Sequence, residues 1–86
     1  MANAIWVRWI DSNSQQGWCG QHDIDTLRPA HILEIGFVVH EDDDCLVITP
    51  TVKGRTEDGH RPHREPIAIP KVAIYERGEI QGVPNA

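Results

Sequence analysis

The sequence predicts an all-β fold, a small SH3-like or Sm-like barrel of about five strands with a short 3-10 turn before the last one. Three observations carry that expectation. Apolar residues alternate with period two over residues 4–11 and 31–40. β-branched and aromatic side chains fill those runs, as a half-buried pleated surface favours. Prolines and turn formers then cut the rest of the chain into short segments. A sheet of so few strands protects its edges by closing on itself.

Residues 4–11, "AIWVRWID", set Ile5, Val7 and Trp9 against Trp6, Arg8 and Ile10, and "SNSQQG" ends the strand. Residues 23–29, "DIDTLRP", predict one helical turn capped by Asp23 and stopped by Pro29. The second strand is "HILEIGFVVH", residues 31–40, with Leu33, Ile35, Phe37 and Val39 on one face. Gly36 in mid-strand marks a bulge, a bend or a close backbone approach. "EDDD" forms a hairpin tip, and "CLVITPTV" returns as the third strand. Pro50 cannot donate to a ladder, so that strand bends or runs at an edge beyond Thr49.

Residues 53–65, "KGRTEDGHRPHRE", read as a long polar loop. "PIAIPKVAIYERGEI" then gives a short strand, a break at Pro70–Lys71 and a last strand through Tyr75, with a loose tail over about 79–86. The 86 residues make one domain. A domain this small buries only roughly 60–65% of the surface of its unfolded chain, so each large side chain counts.

Composition narrows the function classes. No stretch approaches the ~20 apolar residues that span a bilayer. Arg8 and Asp11 break the first apolar run, so no signal peptide is expected, and the expected location is the cytoplasm of the host cell. Cys19 and Cys45 do not make a disulfide framework and are expected as thiols. The formal charge is −5, with residues 1–45 carrying two basic against eight acidic side chains. Such a chain repels a phosphate backbone, which argues against duplex DNA.

One segment carries a resemblance. Val7, Trp9, Asp11, Ser12, Gly17, Trp18, Gly36, the "EDDD" tip and Ile69-Pro70-Lys71 with Ile74 follow a V-x-W-x-D-S…G-W…I-P-K order. In that order the chain resembles a group of small phage and prophage proteins of uncharacterised function, over roughly residues 5–75. It departs from them at "EIGF" and in the His- and Arg-rich loop of residues 54–65. The resemblance implies a phage or prophage accessory gene more than an activity.

The residues with chemistry form two groups. Trp9, Asp11, Ser12 and Trp18 lie in or after the first strand. Trp9 shares a face with Ile5 and Val7, which favours the core for it. Asp11 and Ser12 suit turn bonding to backbone N–H groups, or acceptance from a ribose or base edge. Trp18 after its turn offers a stacking platform. Arg61, His63 and Arg64, with Lys71 after Pro70, form the basic concentration, either a solvated loop or a fork for an anion. Cys19-x-x-His22 and His60-x-x-His63 have zinc-like spacing, but glycine and arginine neighbours argue against a site, and no metal or other cofactor is expected.

No nucleophile with its activator and no acid–base pair emerges, so an enzyme is not expected. The first expectation is a non-enzymatic binder of a small nucleotide-type ligand, sequestering a host immune signal as an anti-defence protein. Its site would join Trp9, Asp11, Ser12 and Trp18 to Arg61, His63, Arg64 and Lys71, across a subunit seam if the barrel lacks room. The alternative is an SH3-like protein-interaction module acting on a host or phage protein, with Trp6 as its anchor. A third is an Sm-like RNA binder, disfavoured by the acidic first half. A homo-oligomer, a dimer first, is expected because the thin core leaves apolar surface to cover.

Overall fold

The computed structural model describes residues 3–52 and 63–84. The fold is mostly β. Five strands form one antiparallel sheet: β1 (Ala4–Asp11), β2 (Ala30–Glu41), β3 (Cys45–Thr49), β6 (Ile67–Pro70) and β7 (Ile74–Glu79), in the order β6-β3-β2-β1-β7. The short strands β4 (Thr51–Val52) and β5 (His63–Arg64) pair separately as a ribbon. A 3-10 turn, η1 (Lys71–Ala73), precedes β7, as the Pro70–Lys71 break predicts.

The two outermost strands, β6 and β7, are joined by only the three residues of η1. A flat five-stranded sheet spans about 19 Å from first strand to last, whereas three 3-10 residues cover about 6 Å. The end of β6 and the start of β7 are therefore held close, which bends the sheet. No ladder pairs β6 with β7 among the described residues.

Ile5, Val7, Trp9, Leu46, Ile48 and Ile69 form the buried core, with Ile32, Val38, Ile67, Ala73 and Ile74 packed against it. Trp9 thus fills the core, as its alternation with Ile5 and Val7 predicts. The phase of β2 corrects one expectation. Leu33 and Ile35 are more than half exposed, so the face they share with Phe37 points outward, and Ile32 and Val38 supply the core from the other face. The cause is register: Val7 and Trp9 stand opposite Glu34 and Ile32, which fixes the even-numbered residues of β2 inward.

Two bulges re-phase the strands. Val38 pairs with Ile48 and His40 with Val47, leaving Val39 as an extra residue on β2. Arg8 pairs with Glu76 and Trp9 with Ile74, leaving Tyr75 as an extra residue on β7. Each insertion inverts the in–out alternation beyond it. Gly36 is a close approach: a Cβ there would lie 2.8 Å from the Thr49 carbonyl oxygen.

β3 lies between β6 and β2, so Pro50 terminates an inner strand and not an edge. Thr49 is fully buried, and its hydroxyl meets the carbonyls of Thr51 and Arg64, which ties the β4–β5 ribbon to the sheet. The helical turn is α1 (Gln21–Thr26), two residues earlier than its sequence suggests. Asp23 sits at its third position and accepts the Gly20 N–H at 3.1 Å, while Gly20 occupies the cap. β7 continues past Tyr75 to Glu79, and the Ile80 N–H donates to the Ala4 carbonyl at 3.0 Å, so ordered pairing reaches into the expected tail.

Candidate functional site

The residues of the nucleotide reading separate in the fold. Asp11 ends β1, opposite Ala30 at the start of β2. Its Oδ1 accepts the Ser12 N–H at 2.8 Å, the turn chemistry such a pair favours. Trp18 follows, wholly exposed. Arg64 pairs with Thr51, beside Thr49, which stands opposite Phe37. Ala30 and Phe37 are seven residues apart on β2, about 23 Å along the strand. Asp11 and Ser12 therefore lie at one end of the sheet, with Trp18 seven residues on in the loop that follows, and Arg64 and the backbone of His63 lie at the other end. Trp9 is buried and cannot stack on a ligand. Arg61 lies outside the described residues.

Lys71 is engaged elsewhere. Its ammonium lies 2.9 Å from Glu41 Oε2, and Arg77 forks onto the same carboxylate at 2.8 and 3.2 Å. This triad holds the Glu41 carboxyl down to about 2, with the Arg77 hydrogen bond as the leading cause. A cleft of about 190 Å³ opens between Asn3, Ala4 and residues 79–83, below the ~300 Å³ at which small-molecule pockets begin.

A different surface is assembled on the outer face of β7, β1 and β2. Trp6 stands between Ile35 on β2 and Gly78 on β7. A Cβ on Gly78 would lie 2.7–2.8 Å from three indole atoms, so the ring rests directly on that glycine. Exposed Ile35 stands directly across from it and exposed Leu33 opposite Arg8, with exposed Ile10 four residues further along β1. Arg8 and Glu76 pair across the face at 3.0 Å. The bulged residue Tyr75 meets His31 edge-on, with ring centroids 5.9 Å apart and Nδ1 3.3 Å from the hydroxyl.

Trp6 is the one member of this face singled out from the sequence. A signal for the others was present: "HILEIGFVV" is apolar at both parities, so one of its faces had to be apolar and outward. Of the zinc-like pairs, Cys19 places its Sγ 3.6 Å from the Gly17 carbonyl and belongs with His22 to no cluster of three or more ligating residues among the described residues, and His60 lies outside them. No described helix is long and apolar enough to cross a membrane. In comparison with known proteins, no family model, no curated protein and no solved structure matches the chain.

Proposed function

We propose that the chain is a non-enzymatic SH3-like barrel that acts as a protein-interaction module through the outer face of β7, β1 and β2. Trp6 resting on Gly78 beside exposed Ile35, on a face that also exposes Leu33 and Ile10, is the observation that carries this reading. A large ring held flat with aliphatic neighbours is the usual make-up of an interface hot spot. The face is nearly neutral, since Arg8 and Glu76 offset one another, while the chain as a whole carries −5. The fitting partner is thus an apolar protein patch of mixed charge, not a phosphate backbone. The resemblance implies a phage or prophage gene, for which the partner would be a host or phage protein. The barrel reading rests on the strand order and on η1 joining the two outer strands.

The test begins with in-cell cross-linking to nominate a partner and is decided with pure components. Ile35→Asp and Leu33→Asp are expected to weaken binding at least about tenfold, a loss of ~1.4 kcal/mol. Val72→Asp, on η1 away from this face, is expected to leave it unchanged. Equal binding by Ile35→Asp overturns the assignment. A concentration-dependent dimer that Ile35→Asp abolishes, with no other partner found, gives the face to a second copy instead.

A second reading, the anti-defence binder of a nucleotide-type signal, is favoured by the wholly exposed Trp18 in the loop that follows Asp11 and Ser12. It requires a second subunit to bring Arg64 to that end. A melting screen against cyclic nucleotides, cyclic ADP-ribose isomers and short oligonucleotides tests it. A shift abolished by Trp18→Ala supports it, and the absence of any shift removes it.

A further inference from the structure

Three metal-ligating side chains of different chemistry meet at the β2–β3 hairpin. The ligand atoms of His40, Asp42 and Cys45 all lie within 4.8 Å of one another. The turn creates that convergence. Asp42 Oδ1 accepts the backbone N–H of Asp44 at 2.8 Å and of Cys45 at 2.9 Å. Its other oxygen, Oδ2, is thereby presented outward, 2.7 Å from His40 Nε2 and 3.9 Å from Cys45 Sγ. The tip is also held from outside the hairpin, because the Lys71 N–H donates to the Asp44 carbonyl at 2.9 Å.

We propose that His40 Nε2, Asp42 Oδ2 and Cys45 Sγ bind a divalent cation of the zinc class, with a fourth position open to solvent. The donor set selects the class. Calcium and magnesium take oxygen ligands, whereas a thiolate with an imidazole suits zinc. Tetrahedral zinc, with bonds of about 2.0–2.3 Å, needs its ligand atoms roughly 3.3–3.7 Å apart. The three atoms here bracket that spacing, so half-exposed side chains need move only about 1 Å to reach it.

Binding forms one bond each to nitrogen, oxygen and sulfur. All but one of the cation's waters leave, and the one kept fills the open position. The Cys45 thiol proton passes to solvent, and the proton that His40 Nε2 shares with Asp42 is given up to solvent or moves to Nδ1 by exchange with solvent. Because the thiolate and not the thiol is the ligand, affinity rises with pH. Glu41, the remaining nearby acid with Asp43, is occupied by Lys71 and Arg77.

The test uses the full chain, stripped with a chelator and titrated with Co²⁺ and then Zn²⁺. One equivalent of Co²⁺ is expected to give a thiolate-to-cobalt charge-transfer band that Zn²⁺ displaces. Cys45→Ser is expected to abolish the band and Cys19→Ser to keep it. Asp42→Asn retains an acceptor for the turn, so a fall of at least about tenfold in Zn²⁺ affinity, in it and in His40→Gln, reads a lost ligand. Circular dichroism checks that each variant is folded. No band in the native chain, a band surviving Cys45→Ser or lost in Cys19→Ser, or unchanged affinity in both ligand variants overturns the site.

Discussion

Glu41 and Arg77, 36 residues apart, are joined by two hydrogen bonds of 2.8 and 3.2 Å, and both bulges are needed to bring them together. Val39 re-phases β2 so that Glu41, opposite buried Leu46, points to the core side. Tyr75 does the same on β7, so that Arg77 stands opposite buried Val7. With Lys71 added, the carboxylate links β2 to both η1 and β7 across the bent sheet.

Acid sensitivity follows from this triad. The Glu41 carboxyl is lowered from 4.5 to about 2. A depressed folded-state value stabilises the fold above pH 4.5, and that stabilisation is lost as the pH falls from there toward 2. The side chain is 34% exposed, so solvent screening trims the contribution to about 1–2 kcal/mol. Glu41→Gln is expected to lower the melting temperature at pH 7 and to flatten its decline through that window. Part of the decline remains, because Asp42 is also held low by His40 and two backbone N–H groups.

Gly36→Ala is expected to cost about 1–3 kcal/mol in urea unfolding. Its methyl group would meet the carbonyl of Thr49 on the hydrogen-bonded neighbouring strand, which cannot withdraw without loosening the β2–β3 ladder.

Gly78→Ala strikes a side chain and not a backbone. The Trp6 indole must lift off β7, so tryptophan emission is expected to change while urea unfolding shows a smaller loss than for Gly36→Ala. Partner binding through the outer face should weaken in the same variant. Unchanged emission would mean that Trp6 does not rest on Gly78.

Trp9 brings an unusual cost to the core: its Nε1–H is buried with no hydrogen-bond partner among the described residues. Leaving such a donor unpaired costs about 1–3 kcal/mol. Trp9→Phe removes it along with some ring volume, so the two effects offset. Leu46→Ala leaves a cavity with no such relief and is expected to cost ~2–5 kcal/mol. Equilibrium unfolding of the two variants should therefore show Leu46→Ala as the more damaging.

The strands, the hairpin tip, the Pro50 stop and the turn after Pro70 were legible because each rests on local chemistry. Alternation marks Ile5, Val7 and Trp9, and proline removes a ladder donor. The inward phase of β2 was not legible, since "HILEIGFVV" is apolar at both parities and only its register with Val7 and Trp9 decides between them. The bulges at Val39 and Tyr75 carry no distinctive residue, so the Glu41–Arg77 pair was hidden with them. The separation of Asp11 from Arg64 is a property of strand pairing, which no local pattern encodes. His40-x-Asp42-x-x-Cys45 has no distinctive ligand spacing along the chain and becomes a cluster only when the hairpin turn brings the three together.

The place of β1 between β2 and β7 has a consequence for synthesis on the ribosome. One side of β1 finds its mate as soon as residues 30–41 emerge, but the other side waits for residues 74–79. Until then the nascent chain displays an open strand edge beside Trp6, a surface that invites pairing with other chains. A translational pause or premature stop before residue 74 would leave the apolar sheet unfinished and prone to aggregate. Completion of the last strand is thus the step that turns a sticky intermediate into a finished domain.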